Sequence, residues 1–276
     1  MEQIDEILNC INNAKKRGDN CCLIDGEKMR KKISVLLIIV GITLIVLTAV
    51  QYYKVNNVYI NLKKTAVAER TIKNQDKKEK VIDWNKLKAI NEDIVAWLYI
   101  PETGVDYPVI KATDNSFYLN HDIHGKSSIY GSIYLDQRYY QMEDINEADN
   151  IVIYGHNMGH WNTSMFGKLM KYKEKDYYLK HKEVYLYTPT ENSTYRIVNV
   201  VRTTINNKWY QFTTLSGSEL SLDELKNCLN VDALYQCKQL KKSSNKYITL
   251  STCDYDGNYR ILVIGEKLRG GKHHDI

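Results

Sequence analysis

The segment that decides the fold lies near the end of the chain, where residues 247–267 read YITLSTCDYDGNYRILVIGEK. Residues 247–250 are aromatic, β-branched or aliphatic, and this composition predicts a strand. Residues 254–258 contain two Asp, one Gly and one Asn, which are typical of a turn, and a second apolar strand follows. The pattern therefore predicts a hairpin with Cys253 just past the end of its first strand and Arg260 at the start of its second.

The positions of Cys253 and Arg260 allow a reactive site at the rim of this hairpin. A cysteine at a strand end is partly exposed and can be reached by a substrate, and a nearby guanidinium can favour the thiolate or hold a developing oxyanion. The alternative is that Cys253 is a small buried residue and Arg260 a surface cation. The hairpin taken alone leaves both interpretations open.

The region before the hairpin predicts a mainly β fold with peripheral helices. Eight short strand candidates with frequent turns indicate an eight-stranded barrel or a sandwich. The strand candidates are residues 95–100, 106–110, 131–135, 150–154, 183–188, 194–204, 246–252 and 259–267. Helices are predicted at residues 83–91, 114–120, 163–172 and 220–236, the last with leucines near helical spacing.

The net charge of +5 is concentrated in one segment of the chain. Residues 54–80 contain eight Lys/Arg and three Asp/Glu, whereas residues 81–276 contain 23 Lys/Arg and 24 Asp/Glu. The larger part of the chain therefore has no charge signature for nucleic acid, and we expect no nucleic-acid partner.

An uncharged apolar run near the N-terminus predicts a membrane anchor. Residues 33–50 read ISVLLIIVGITLIVLTAV, near the short end of a membrane-spanning helix, and residues 51–53 add an interfacial end. A cleavable signal peptide is the alternative, but the polar leader is long and a clean A-x-A site is missing. Residues 13–32 contain seven Lys/Arg against four in residues 51–70, a bias that favours a cytoplasmic N-terminus.

These features predict four segments along the chain. They are a cytoplasmic tail (1–32), a transmembrane signal anchor (33–53), a juxtamembrane stalk (54–80) and one C-terminal domain (81–276). We therefore expect a single-pass protein of the cell membrane whose C-terminal domain is extracellular.

The six cysteines do not predict a metal site or a disulfide. No CxxC or Cys/His zinc spacing is present, and the acidic residues lack calcium-loop spacing, so we expect no metal and no cofactor. Cys228 and Cys237 would lie roughly 13 Å apart on one helix, which is too far for a disulfide. We interpret both as packing residues and assign no role to Cys10, Cys21 or Cys22.

A thiol nucleophile needs a base or a cationic partner, and His156 is the best candidate among seven histidines. The apolar tetrapeptide IVIY precedes it, and Gly155 permits tight backbone geometry where the imidazole emerges. His156 would thus occupy the same kind of position as Cys253, at the end of a buried strand. No acidic partner for His156 stands out; Asp254 and Asp256 are candidates because they are near Cys253 in sequence.

Several short motifs resemble those of the sortases, which are membrane-anchored cysteine transpeptidases of Gram-positive bacteria. The resemblance covers roughly residues 81–268 and rests on the order and spacing of the motifs together. The N-terminal helix, the long helix between the sixth and seventh strands, and the segments 114–122 and 131–136 resemble class B in particular. The motifs are TLSTC (249–253) with the arginine on the next strand, YGHN (154–157), DNSFYLNHD (114–122) and GSIYLD (131–136).

The resemblance implies a role for each matching residue. Cys253 matches the nucleophile that attacks a sorting-signal carbonyl and forms a thioacyl enzyme. His156 matches the general acid/base for the leaving and incoming amines, and Arg260 matches the residue that holds the substrate and the oxyanion. The matching substrate-binding positions in the groove are Asn115, Leu119 and Ser251.

The resemblance also implies the partners. The substrate would be the C-terminal sorting signal of a secreted surface protein, with an NPxTN-like or an LPxTG-like motif. The acceptor would be an amine of peptidoglycan or lipid II, so that the surface protein is anchored to the cell wall.

Other functions stay open on the residues alone. A thiol hydrolase or a wall L,D-transpeptidase also uses Cys and His, although the latter normally has a His two residues before its Cys, where this chain has Ser251. A papain-like protease would place its Cys before its His, the reverse of the order here. A membrane-tethered binding domain with an inert Cys253 is the non-enzyme alternative.

Overall fold

The computed structural model describes residues 9, 13, 21–71, 78–160, 162–212, 221–235 and 246–272. Cys10 and Cys237 lie outside these residues. The chain divides into two compact units, Met1–Ile60 and Asn61–Ile276. The four segments drawn from the sequence stay predictions.

Helix α1 (Cys21–Ala66) contains the apolar run identified in the sequence. An 18-residue window of this helix has a mean hydropathy of 3.0, and none of the window is buried. A helix rises about 1.5 Å per residue, so about 20 residues cover the hydrocarbon core of a bilayer. By length and composition, α1 contains a candidate membrane span.

A hairpin and a short helix precede the barrel. Strands β1 (Val67–Thr71) and β2 (Lys78–Ile82) pair antiparallel as a separate two-stranded sheet. Helix α2 (Trp84–Ile90) follows, and the Asp83 carboxylate caps it by accepting a hydrogen bond from the main-chain N–H of Lys86. The amphipathic helix predicted at residues 83–91 is thus confirmed.

Eight further strands form one closed barrel. They are β3 (Ile94–Ile100), β4 (Val105–Ile110), β5 (Tyr134–Leu135), β6 (Asn150–Tyr154), β7 (Glu183–Tyr187), β8 (Glu191–Thr203), β9 (Tyr247–Cys253) and β10 (Arg260–Lys272). Their order around the barrel is β10-β8-β7-β3-β4-β5-β6-β9. Most side chains of β3, β6 and β9 are buried, which explains their nearly continuous apolar sequences. The predicted eight-stranded barrel is therefore confirmed.

One parallel pairing in the barrel determines where the site lies. Strand β6 runs parallel to β9, with Asn150 opposite Tyr247 and Tyr154 opposite Ser251. Parallel neighbours end at the same edge of a sheet. The residues that follow Tyr154 and Ser251 therefore emerge side by side at one rim of the barrel.

Two α-helices lie in the connections between barrel strands. Helix α3 (Lys175–Lys180) precedes β7, and α4 (Leu222–Val231) lies between β8 and β9, the sixth and seventh barrel strands. Ser221 and Glu224 form a capping box at the start of α4. The predicted helix at residues 220–236 is confirmed in position but is shorter, because it ends at Val231 and residues 232–235 form a turn, a bridge and bends. Residues 220 and 236 lie outside the described part of the chain. Short 3-10 helices occupy Gln137–Tyr139, Ile145–Glu147, Phe166–Lys173 and Lys208–Gln211.

The helix predicted at residues 114–120 is wrong, because this segment forms turns and bends. The Asp114 carboxylate accepts hydrogen bonds of 2.7 Å from the main-chain N–H groups of Ser116 and Phe117, which is the local chemistry of an Asx turn. Nδ1 of His121 lies 2.7 Å from the Phe117 carbonyl that a continuing helix would use for its own ladder.

Two other predicted elements differ in form. The helix predicted at residues 163–172 is the 3-10 helix Phe166–Lys173. The third barrel strand, predicted at residues 131–135, is only Tyr134–Leu135. Gly131 has a φ of 55°, and a Cβ there would lie 2.3 Å from the Leu119 carbonyl oxygen. This residue therefore belongs to a turn, and the strand begins only at Tyr134.

Candidate active site

Backbone and side-chain bonds continue the β6–β9 pairing beyond the last paired residues. The main-chain N–H of Gly155 donates to the Ser251 carbonyl at 3.2 Å. The Thr252 hydroxyl donates to the Gly155 carbonyl at 2.8 Å. His156 directly follows Gly155, and Cys253 directly follows Thr252, so both are held at the same rim.

Gly155 is required by space rather than by an unusual backbone angle. A Cβ at this position would lie 2.5 Å from Cδ1 of Ile133 and 2.8 Å from Cγ of Phe166. Real Cβ atoms do not approach other heavy atoms this closely. The absence of a side chain therefore lets the segment after β6 pack tightly just before His156.

The imidazole of His156 is half-buried and oriented by one main-chain group. Its Nε2 lies 2.7 Å from the carbonyl oxygen of Leu119. A carbonyl can only accept, so this contact assigns the proton to Nε2 and leaves Nδ1 as the nitrogen that can exchange a proton.

Cys253 is a free, half-exposed cysteine fixed from two sides. Its carbonyl oxygen accepts a hydrogen bond of 3.0 Å from the side-chain amide of Asn157, the residue after His156. Across the hairpin, Cys253 is the register partner of Arg260. The three residues singled out in the sequence are therefore brought to one rim.

Arg260 borders an open cavity of about 260 Å³. Its Nη1 donates to the carbonyls of Gly257 (2.8 Å) and Tyr259 (3.0 Å), which fixes the guanidinium against the turn. The cavity is lined by Asp136, Arg138, Tyr154, Ile205, Tyr210 and Arg260. Its lining combines apolar surface with charged and hydroxyl groups, and it lies beside the nucleophile candidate.

Two tyrosines near this rim have raised pKa values. Burial raises the pKa of Tyr134 above its usual range, with further effects from Cys253 and Arg260. Burial likewise raises the pKa of Tyr210, whose hydroxyl is hydrogen-bonded to Ser251 at 2.7 Å. Both phenols therefore remain protonated at neutral pH and act as hydrogen-bonding groups.

Asp254 follows Cys253 but faces two cations. Its carboxylate accepts hydrogen bonds from Nε of Arg202 (2.6 Å) and Nζ of Lys173 (3.0 Å). Burial acts to raise the pKa of Asp254, but these bonds outweigh it and hold the pKa below its ordinary value. Asp256 also lies 3.5 Å from Arg202. Both carboxylates thus pin the β9–β10 turn through Arg202.

The three groove residues suggested by the sequence lie around the same rim in different roles. Asn115 accepts a hydrogen bond from the main-chain N–H of Gln137 at 2.8 Å. Leu119 is half-buried and contacts His156 through its carbonyl. The Ser251 side chain is 2% exposed, so it contacts Tyr210 directly and faces away from solvent.

Sequence reasoning missed part of the site. Asn157 and Tyr154 lie in the quoted YGHN motif, and Asp136 ends GSIYLD, but no role followed from these letters. Tyr210 and Arg138 gave no signal, because their importance comes from contacts between distant segments. Within the described ranges, no group of three or more His, Cys, Asp or Glu side chains could hold a metal ion.

Comparison with known proteins places these features in a family. The family model described as Sortase domain matches residues 98–268. Sortase B of Listeria monocytogenes is 31% identical over 185 residues, which cover 65% of this chain and 72% of the relative. Sortase B of Staphylococcus aureus is 26% identical over 245 residues, which cover 84% of this chain and 96% of the relative.

The fold agrees with a solved relative. The crystal structure of Clostridium perfringens sortase B aligns with a TM-score of 0.58 at 30% identity, covering 67% of this chain and all of that chain (100%). The region matched by the family contains the barrel and the rim that carries Cys253, His156 and Arg260. This chain therefore belongs to the sortase family, as a class B cysteine transpeptidase.

Proposed function

We propose that Cys253 is the nucleophile of this transpeptidase, His156 its general acid/base, and Arg260 the group that holds the substrate and its oxyanion. The observation that carries the proposal is the convergence of these residues at one rim through the β6–β9 and β9–β10 pairings. A thiol, an imidazole with a free Nδ1 and a guanidinium are the groups that covalent acyl transfer from an amide needs.

The reaction divides into two balanced steps. The Cys253 thiolate attacks the peptide carbonyl, the C–N bond breaks, and the proton on the His156 imidazolium passes to the leaving amine. An incoming amine then attacks the thioester and loses a proton to His156, and the new amide forms as the thiolate leaves. Arg260 stabilises the oxyanion in both tetrahedral intermediates.

The proposed substrate is the C-terminal sorting signal of a secreted surface protein, with an NPxTN-like or LPxTG-like motif. The proposed acceptor is an amine of peptidoglycan or lipid II, so that the product is a protein anchored to the cell wall. Support comes from the open cavity beside Arg260, whose apolar surface and few charged or hydroxyl groups can receive part of an extended peptide.

We also propose that α1 anchors the enzyme as a single-pass protein with a cytoplasmic N-terminus. The support is its hydropathy and the excess of Lys/Arg before residue 33. The catalytic barrel is then extracellular, where secreted substrates and wall acceptors are found.

Intact-mass spectrometry of the full-length chain in detergent tests the roles. We would incubate it with NPxTN- and LPxTG-like peptides, with and without a soluble amine. A peptide-sized adduct that is lost in Cys253→Ala but kept in Cys228→Ala, and that amine converts into a ligated product, is the expected result. Cys228 is the matched control because it is also a free, half-exposed cysteine.

Other outcomes contradict parts of the proposal. Cleavage without ligation under any amine would make the activity hydrolysis. An adduct that survives Cys253→Ala would assign the nucleophile elsewhere. A chain that forms no adduct and whose Cys253 resists alkylation would behave as a tethered binding domain.

A further inference from the structure

A carboxylate with no assigned role lies beneath the cavity beside Arg260. Asp136 is 4% exposed, yet it forms part of the cavity lining. A buried carboxylate is costly unless its oxygens are well satisfied. Its partners therefore show what it holds in place.

Three separate segments converge on the Asp136 carboxylate. Oδ1 accepts from Nε of Arg138 at 2.7 Å and from its main-chain N–H at 3.0 Å. Oδ2 accepts from Nη2 of Arg138 at 3.0 Å and from the Tyr154 hydroxyl at 2.8 Å. The side-chain amide of Asn115 lies 3.5 Å from Oδ2. Burial acts to raise the pKa of Asp136, but the bonds from Arg138 and Tyr154 outweigh it and keep the pKa below its ordinary value.

Arg138 extends this cluster to the opposite wall of the cavity. Its Nη2 also donates to the main-chain carbonyl of Tyr210 at 2.5 Å. The rings of Tyr210 and Tyr154 are stacked with centroids 6.4 Å apart. The Tyr210 hydroxyl contacts Ser251, two residues before Cys253. Asp136 thus links both tyrosine walls to the strand that carries the nucleophile candidate.

We propose that Asp136 is a positioning residue that fixes the Tyr154 and Tyr210 walls of the cavity and so determines how the sorting peptide is seated. The inference rests on the proposed function, because the cavity is taken as a peptide subsite. A cavity of about 260 Å³ is smaller than the ~300–1,000 Å³ usual for small-molecule pockets. It therefore suits one portion of an extended peptide, held by apolar ring surface and a few polar groups.

Asp136→Asn is the sharpest variant, because it keeps the shape and removes the charge. One oxygen becomes an NH₂ group that faces donors whichever way the amide turns, so Arg138 loses its two-point acceptor in either orientation, and in one of them Tyr154 loses its acceptor too. Glu183→Gln is the matched control: Glu183 also accepts from an arginine, Arg196, at 3.0 Å, but it does not line the cavity.

Steady-state kinetics of the full-length enzyme separate positioning from general destabilisation. For Asp136→Asn we expect KM for the sorting peptide to rise about tenfold, kcat to change less than about threefold, and the alkylation rate of Cys253 to stay constant. Glu183→Gln should leave KM unchanged, and Asp136→Glu, which keeps the charge, should recover part of the affinity. An unchanged KM, or a fall in kcat and alkylation without a KM effect, overturns the proposal.

Peptide binding in a Cys253→Ala background gives a readout independent of chemistry. Fluorescence anisotropy with a labelled sorting peptide should show a Kd about tenfold higher after adding Asp136→Asn. If the wild-type chain, with Cys253 intact, binds the peptide but is not acylated, the transpeptidase assignment of the rim is overturned and the Asp136 inference stands. An unchanged Kd would overturn the Asp136 inference alone, and a chain that binds no peptide would overturn both.

Discussion

The side-chain amide of Asn157 donates a hydrogen bond of 3.0 Å to the main-chain carbonyl of Cys253. This bond joins the loop that carries His156 to the strand that carries the thiol. The two residues are 96 positions apart in sequence, so the bond connects distant segments of the chain. It joins the segments that carry the two members of the proposed catalytic pair.

Removing this link should separate the acid/base from the nucleophile. For Asn157→Ala we expect kcat/KM to fall about fivefold or more, the value of one lost hydrogen bond. Peptide-cleavage kinetics measure this. Asn162→Ala is the control, since Asn162 lies in the same loop but contacts Tyr130; an equal loss in both variants would mean that the loop matters only as a whole.

Gly155→Ala should destabilise the barrel. The new Cβ would overlap Ile133 and Phe166, and overpacking of this kind costs about 1–3 kcal/mol of the free energy of unfolding. Urea unfolding measures the loss. Gly257→Ala, where a Cβ meets nothing within 4 Å, should stay within about 0.5 kcal/mol of wild type; a neutral Gly155→Ala would contradict the close packing.

Asp254→Asn should show a pH-dependent loss of stability. The folded pKa of Asp254 lies below its ordinary value of 3.8 because the hydrogen bonds from Arg202 and Lys173 outweigh the effect of burial. The folded chain then binds this proton more weakly than the unfolded chain, so the stabilisation is complete above about pH 5 and fades as pH falls below 3.8.

Urea unfolding of Asp254→Asn and wild type from pH 7 to pH 3 tests this linkage. At neutral pH we expect a difference in the free energy of unfolding of about 1.5–3 kcal/mol, as for hydrogen bonds to charged groups. The difference should shrink at the acid end. A gap that stays constant or widens below pH 4 would show that Asp254 is not held as a carboxylate.

Lys80→Met should destabilise the catalytic unit although Lys80 precedes the barrel. Its ammonium is buried, donates to Asp106 at 3.1 Å and lies 4.3 Å from the centre of the Tyr99 ring. Asp106 also pairs with Lys63 and accepts from Nε1 of Trp97 at 2.7 Å. Asp106 keeps Lys63 and Trp97 after this change, so the loss is about that of one hydrogen bond to a charged group, ~1.5–3 kcal/mol, and calorimetry should show a drop in Tm of about 3 °C or more.

The control for this variant is Lys86→Met, because Lys86 forms an exposed pair with Asp83 and its loss should change the free energy of unfolding little.

The contacts of Asp106 with Lys63 and Lys80 also predict how stable soluble fragments are. A fragment that starts at residue 61 keeps both lysines, whereas one that starts at residue 81 loses them. We expect the shorter fragment to unfold at a lower temperature; equal values of Tm would contradict the role of the hairpin.

The sequence predicted the elements of the barrel well, because each strand carries a local signal. The apolar strand before Gly155 and the strand before Cys253 both ended close to where their composition predicted. The helix predicted at residues 114–120 was wrong, because the Asp114 carboxylate accepts hydrogen bonds from the main chain and stabilises a turn there instead. Propensity does not register such a side-chain competitor.

The arrangement of the site could not be read from local pattern. The parallel contact of β6 with β9 joins segments almost one hundred residues apart. The sequence of neither strand indicates which strand it pairs with. The Asp136 cluster depends on three connections that meet only in the folded barrel. The positions of His156 and Cys253 after apolar strands suggested that they are partners, and the resemblance to a family implied their roles, but periodicity alone did not show that the two strands pair.

The position of β9 between β6 and β10 has a consequence for when the enzyme becomes active. A chain that is still being made cannot close the barrel before β9 has emerged, since β6 has no partner on that side until then. Contacts of such long sequence separation form late and slowly in folding. Cys253 can therefore approach His156 only at a late stage of folding. Because of this strand order, we expect an incomplete chain to have no transpeptidase activity.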